Sequence, residues 1–338
     1  MLRIAVSKAG QRGINRESRK RLPGATLLGG LGLTTGATAV AAKREAVDGQ
    51  AVGGRRRRLL FPSGLKVLLL VVLLVSGQPI AAQQIIAHRG ASHEAPENTL
   101  AAFRLAWARG ADGIEGDFYL TRDGRIVCIH DSDTERTAGV KLVVRDSTLA
   151  ELRRLDVGAW KGDRFRGERI PTLKEVLDTV PDGKKIFIEI KCGPEILPRL
   201  KQALAASRLQ PEQTVVIAFD EKVVVETRRL IPTIKVYWLA GYKRDKQTGR
   251  WSPSLEQVLA TLRRTRAHGL DTHANPDVVN ERFVQALRDG GFEFHAWTIN
   301  EVSLARRFQT LGVDSITTDR PGWLRKQLAV RSGTAATR

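Results

Sequence analysis

The chain is short of several features that would settle its class at once. It carries two cysteines in 338 residues, Cys128 and Cys192. They are too few for a disulfide framework, though one pair can form in an exported chain; unpaired thiols are the expectation. Neither a CxxC pair nor a Cys/His spacing suited to zinc is present. No glycine-rich phosphate loop follows a strand-like segment, which counts against an open dinucleotide-binding sheet. No RNA- or DNA-binding motif accompanies the basic charge, so nucleic acid is not the expected partner. The apolar run Leu65 to Val75, interrupted by Lys66, is about half of the ~20 residues a membrane-spanning helix needs. Met1 is the only methionine.

The composition does provide for a core: 42% of the residues are hydrophobic, and the length allows one large domain or two small ones. The net charge of +19 is unevenly spread, with 14 Lys/Arg against 3 Asp/Glu over residues 1–82 and 41 against 33 over the rest. The remaining basic balance suits an anionic substrate or surface. Residues 1–54 are rich in Gly, Ala, Thr and Arg without a period, and are expected to be disordered. Arg55-Arg56-Arg57-Arg58, the apolar run, the break at Ser76-Gly77-Gln78-Pro79 and the small residues Ala81-Ala82 form the three regions of a signal peptide over 55–82. The mature chain is then exported, periplasmic or extracellular, without a membrane span once the leader is removed, or anchored if it is not. A leader near residue 55 lies late. With no internal methionine, the expectation is a start at a downstream Val or Leu codon.

From residue 83 short apolar runs alternate with amphipathic segments. Eight main strands fall near residues 85, 115, 188, 216, 236, 270, 295 and 316. This βα alternation over 83–330 predicts an α/β fold, a (β/α)8 TIM barrel with a small insertion at 131–172 after the second strand. A doubly wound open sheet is the alternative. Among the helices, Leu100–Arg109 starts at Asn98-Thr99, Glu195–Ala206 is interrupted early by Pro198, and another covers Val278–Asp289. Ile126–Ile129 is a short strand extending the second or lying beside it, and Leu149–Leu155 is helix-like. Residues 331–338 read as a flexible tail.

Glu115 and Asp117 stand two apart on a strand and so point to one face, which in a barrel is the interior. Two buried carboxylates repel unless a cation lies between them. Glu189 and Lys191 repeat the geometry on the next main strand. Three carboxylates without cysteine favour a hard divalent ion, Ca²⁺ or Mg²⁺; a salt-bridge network filling the barrel is the competing reading. His88 and His130 close short strands and can serve as base and acid. Asp131 stands ready to orient an imidazole or cap a turn, and Arg89 offers a planar fork for phosphate oxygens. His93, His268, His273 and His295 read as structural, although His295 shares a face with Trp297.

The ordered series His88-Arg89-Gly90, Pro96-Glu97-Asn98-Thr99, Ala102-Phe103, Gly110-Ala111-Asp112, Glu115-x-Asp117, Thr121-Arg122-Asp123-Gly124 and His130-Asp131 resembles glycerophosphodiester phosphodiesterases. Ile170-Pro171-Thr172-Leu173, Glu189-Ile190-Lys191, Trp297-Thr298-Ile299-Asn300 and Gly312-Val313-Asp314 through Thr318-Asp319-Arg320-Pro321 continue it over residues 84–327. The resemblance implies a metal-dependent TIM barrel that hydrolyses small-molecule glycerophosphodiesters to glycerol 3-phosphate and an alcohol. It implies Glu115, Asp117 and Glu189 as ligands of one divalent ion and His88 and His130 as the catalytic pair. Arg89 and Lys191 become phosphate contacts, Trp297 a pocket wall, and Glu97 and Asn98 braces of the first loop. Cys192-Gly193-Pro194 departs from the pattern. The head group and the oligomeric state stay open. The other readings are a phospholipase-D-like enzyme acting on lysolipids or envelope phosphodiesters and a non-catalytic barrel module.

Overall fold

The computed structural model describes residues 83–330. The stretch 1–54, the expected leader at 55–82 and the expected tail at 331–338 lie outside the described residues. Among the described residues, eight parallel strands close into a barrel. They are β1 (Gln84–Ala87), β2 (Gly113–Leu120), β3 (Lys185–Ile190), β4 (Thr214–Ala218), β5 (Lys235–Ala240), β6 (Gly269–His273), β7 (Glu293–Trp297) and β8 (Ser315–Thr318). Each pairs with the next, and β8 returns to β1 with Thr317 opposite Ile86. This is the (β/α)8 TIM barrel.

Strand alternation sorts the apolar residues into two layers. Ile114, Phe118, Ile186, Ile188, Val216 and Leu270 point outward into the shell of helices. Ile86, Phe187, Val215, Ile217, Tyr237 and Leu239 point inward and form a separate cluster inside the barrel. Beneath the cavity described below, the Tyr237 ring stacks on His295 at 4.2 Å, and the Tyr237 hydroxyl donates to Glu293 Oε2 at 2.7 Å. His295 thus belongs to the packed floor, where its Nδ1 meets Ser315 Oγ at 2.7 Å.

Helix boundaries follow the caps. Thr99, not Asn98, caps Leu100–Ala108, its side chain accepting from the Ala102 N–H. Pro198 lies in the first turn of Leu197–Ala205, after a 3-10 turn at Pro194–Ile196. It therefore opens the helix rather than interrupting it, because first-turn N–H groups have no intrahelical acceptor. The helix expected from Val278 begins at Glu281, since Asn280 caps it by accepting from the Phe283 N–H. Ile126–Cys128 pairs antiparallel with the end of β2. The helix-like stretch at 149 is one turn, Leu149–Leu152, closed by a Thr148–Glu151 capping box. The insertion has its own small core of Val144, Leu152, Val157 and Ile170 against Val127 and Ile129. A hairpin of Lys243–Arg244 and Trp251–Ser252 after β5 escapes the sequence pattern, because two-residue strands show no period. Cys128 and Cys192 are both free thiols. Among the described residues, no helix is long and apolar enough to cross a membrane.

Candidate active site

The carboxyl ends of the strands surround a cavity of about 220 Å³. His88, Arg89, Glu115, His130, Glu189 and Lys191 line one side of it, and Phe219, Asp271 and Trp297 the other. The loop after β1 needs an unusual backbone. Arg89 and Gly90 both take left-handed conformations, with φ 53° and 81°. A Cβ on Gly90 would come within 2.6 Å of the Ala102 backbone, so glycine is required by space as well as by φ. In this turn the Arg89 N–H donates to Glu115 Oε2 at 2.9 Å.

Asp117 stands opposite Glu189 across the β2–β3 pairing. Carboxylate oxygens of Glu115, Asp117 and Glu189 lie within 4.8 Å of one another. Glu115 and Asp117 are buried, and each has one oxygen held by a donor. Asn98 Nδ2 donates to Asp117 Oδ2 at 2.8 Å. The other oxygens, Glu115 Oε1 and Asp117 Oδ1, are buried without a hydrogen-bond partner. Lys191 Nζ reaches Glu189 Oε1 at 2.8 Å and Asp117 Oδ1 at 3.3 Å, and Arg89 Nε reaches Asp117 Oδ2 at 3.2 Å. A salt-bridge network is therefore present, but it sets three acids against two cations.

The proton affinities reflect this imbalance. Burial pushes the Glu115 carboxyl well above the usual range, and the charges of Asp117 and Glu189 add to the effect. Glu189 is raised by burial and then by Asp117. Burial also acts upward on Asp117, but Arg89 and Lys191 bring it below the ordinary value. Burial acts downward on Lys191, yet the carboxylates hold it at about 12. An oxygen-seeking cation fits this donor set: it would satisfy Glu115 Oε1, add a partner to Asp117 Oδ1 beside the Lys191 ammonium and offset the third charge.

Both cavity histidines are fixed through Nδ1. His88 Nδ1 donates to Asp319 Oδ1 at 2.6 Å. Asp319 in turn accepts from Ser92 Oγ at 3.0 Å and Asn300 Nδ2 at 2.6 Å. Burial acts upward on Asp319, but the bond to His88 and its neighbours hold it at about 2. His130 Nδ1 donates to Asp131 Oδ1 at 2.8 Å, so Asp131 orients the ring. Burial lowers the pKa of His130; Asp117 opposes this, and Arg89 and Lys191 reinforce it. In each ring the second nitrogen, Nε2, is left for chemistry.

Glu97 and Asn98 sit behind these groups. Glu97 Oε1 accepts from Arg89 Nη1 at 3.0 Å, and Arg136 Nη1 and Nη2 donate to Glu97 at 3.0 and 2.7 Å. Arg136 Nε donates to Asp131 Oδ2 at 2.6 Å. Asn98 Oδ1 accepts from the Asp117 N–H at 3.2 Å. Gly116 faces outward, where a Cβ would meet Cys128 Sγ and Phe103 at 3.1 Å and Asn98 Oδ1 at 3.3 Å. Its missing side chain makes room for this brace.

The sequence reading gave no role to Asp319, Arg136, Asp271 or Phe219. Asp319 stood inside a quoted motif, one residue beyond β8, with the same inward phase as Thr317. That phase was the available signal. Asp271 had a similar signal, standing two before His273 on β6. Arg136 had none, because its partners are set by the path of the insertion. Of the histidines read as structural, His268 Nδ1 accepts from the Val236 N–H at 3.0 Å, His273 lies edge-on to Trp297 at 5.5 Å and His93 meets Arg320. Trp160 of the insertion is 45% exposed, and the neighbouring Lys161 Nζ donates to the Ser92 carbonyl at 2.7 Å, beside the first loop.

A family model described as "Glycerophosphoryl diester phosphodiesterase family" matches residues 88–323. YhdW of Bacillus subtilis is 36% identical over 249 residues, which is 72% of this chain and 96% of the relative. The glycerophosphodiester phosphodiesterase of Caldanaerobacter subterraneus is 33% identical over 241 residues, covering 70% of this chain and 94% of the relative. Among solved structures, the Oleispira antarctica phosphodiesterase OLEI02445, in complex with the product sn-glycerol-3-phosphate, aligns with a TM-score of 0.65 at 28% identity, covering 73% of this chain and 96% of that one.

Proposed function

The chain belongs to the glycerophosphoryl diester phosphodiesterase family, and from that premise we propose that it hydrolyses glycerophosphodiesters to glycerol 3-phosphate and an alcohol in a metal-dependent reaction. The observation that carries the reading is the meeting, in one cavity, of a partly unsatisfied three-carboxylate cluster, two cationic side chains and two histidines anchored through Nδ1. A Ca²⁺ or Mg²⁺ ion held by Glu115, Asp117 and Glu189 would supply charge neutralisation and polarisation of the diester.

The protein's own groups do the rest. Arg89 and Lys191 bind the non-bridging phosphate oxygens and stabilise the charge that develops on them. His88 accepts the nucleophile's proton at Nε2, since its Nδ1–H is already donated to Asp319. His130 delivers a proton from Nε2 to the leaving alkoxide. Burial disfavours the imidazolium in the free chain, and the diester's negative charge beside it favours protonation on binding. Trp297 forms a wall of the pocket. The nucleophile is water or the substrate's adjacent hydroxyl, the latter through a cyclic phosphate. The leader at 55–82 supports export as part of the same reading, so that the hydrolysis takes place outside the cytoplasm.

The test is a head-group panel on the purified chain with and without chelator. Glycerophosphocholine should yield glycerol 3-phosphate, lose that activity in EDTA and regain it with Ca²⁺ or Mg²⁺. His130→Ala should lower turnover about 10²–10⁴-fold, most strongly on poor leaving groups. Activity untouched by EDTA would sink the metal role, and intact lysolipid preferred over glycerophosphocholine would move the substrate to the lipid itself.

A further inference from the structure

The cavity has two unlike walls. The charged groups stand on or just beyond β1, β2 and β3. Across the barrel, four strands from β2, stands Asp271 on β6, with Leu239 beside it on β5. Asp271 is 1% exposed. Among the described residues its carboxyl joins no ion pair, and its Oδ1 is buried without a hydrogen-bond partner. The rest of this wall is apolar or already engaged. Ile217 and Leu239 belong to the inner cluster, and Trp297 Nε1 points to the Asp271 backbone carbonyl at 3.4 Å. A buried acceptor left unpartnered is destabilising, so a fold retains one where a ligand completes it.

We propose that Asp271 is the glycerol-recognition group of this site, its carboxyl hydrogen-bonding the hydroxyls of the glycerol moiety; the inference rests on the glycerophosphodiester reading above. With the phosphate held by Arg89 and Lys191, the part of the substrate that extends across the cavity meets Asp271. The cavity of about 220 Å³ places the glycerol between the phosphate and Asp271 and leaves the head group at the open rim near Phe219, which is 48% exposed. Burial, then the charge of Glu189, holds Asp271 up at about 8. At neutral pH it is therefore mostly protonated, with both a donor and an acceptor to offer a hydroxyl. A cationic head group would require the ionised form instead.

Binding of product-like ligands tests this without depending on turnover or on the hydrolytic route. Calorimetry on the Ca²⁺-loaded chain compares glycerol 3-phosphate with propyl phosphate, which lacks both hydroxyls. The unmutated chain should bind glycerol 3-phosphate about ten- to a hundredfold more tightly. In Asp271→Leu the two ligands should bind within threefold of each other, at the unmutated chain's affinity for propyl phosphate. Asp271→Asn, which keeps a donor and an acceptor, should recover part of the preference. An unchanged preference in Asp271→Leu overturns the assignment, and so does an equal weakening of both ligands, which would place Asp271 in support of the phosphate side. If the unmutated chain binds both ligands equally, this inference falls and the phosphodiesterase reading stands. If it binds neither, both fall. The leucine variant should melt no lower than the unmutated chain, because the change removes an unpartnered buried carboxyl.

Discussion

His88 depends on a residue 231 positions away. To donate to Asp319 Oδ1 at 2.6 Å its Nδ1 must carry the hydrogen, and Nε2 then keeps the lone pair a base needs. Asp319→Asn leaves a group of the same shape that no longer enforces this tautomer, so kcat should fall about 10²–10⁴-fold with little change in KM. Stability should respond to pH as well. Asp319 titrates at about 2 in the fold, against ~3.9 for an unfolded aspartate. A depressed carboxyl contributes stability that is complete above the unfolded value and is lost as pH falls through the folded one. The melting temperature of Asp319→Asn should therefore lie below that of the unmutated chain at pH 6, and the gap should narrow between pH 4 and pH 2. A constant gap over that range would mean that the loss comes from packing rather than from the charge. The same residue shows where sequence reading stops. Glu115 with Asp117, and Glu189 with Lys191, were legible because period-two alternation along each strand gives both members of a pair the same face. The Asp319–His88 bond was not, because it depends on closure between the last strand and the first.

One side chain of the insertion between β2 and β3 braces the site at two points. Arg136, on the short helix Glu135–Ala138, bonds Asp131 behind His130 and Glu97 behind Arg89. A single guanidinium thus sets the angle of His130 and of Arg89, the arginine proposed to bind phosphate. Arg136→Ala should lower kcat/KM about ten- to a hundredfold, since sub-ångström placement carries that weight. Because Glu97 works through the same contact, Glu97→Ala combined with Arg136→Ala should be clearly less than additive; full additivity would separate the two residues. The elements themselves were largely readable. Thr99 marked one helix start, whereas the cap at Asn280 and the Thr148–Glu151 and Thr172–Glu175 capping boxes went unread, so that one helix was begun at Val278 and Leu173–Leu177 was not assigned. What the pattern lacked was the path of the insertion, whose turns carry no period, and hence the contact of Arg136 with a residue 39 positions earlier.

The two ends of the barrel are built to opposite ends. The floor is closed by Phe187, Tyr237 and His295, with Glu293 bonded to both Lys235 and Tyr237, whereas the mouth holds carboxylates that repel one another. The molecule as a whole should therefore depend on the ion for its stability. A ligand bound only by the folded state at a hundred times its Kd adds about 2.7 kcal/mol, and each kcal/mol is worth about 2–4 °C in a barrel of this size. Saturating Ca²⁺ or Mg²⁺ should then raise the melting temperature about 5–10 °C over the EDTA-treated chain. Glu115→Gln provides the control. It removes a carboxyl whose pKa is raised by burial and by its acidic neighbours, so in EDTA the variant should melt higher than the unmutated chain and lose most of the metal-induced rise. The sign also fixes the pH range. A raised carboxyl opposes folding once ionised, and this opposition disappears below the unfolded value of ~4.3, so the advantage of Glu115→Gln in EDTA should be present at pH 8 and gone near pH 4. If the variant melts lower than the unmutated chain in EDTA and still responds to Ca²⁺, the three carboxylates are a closed salt-bridge network and the ion binds elsewhere.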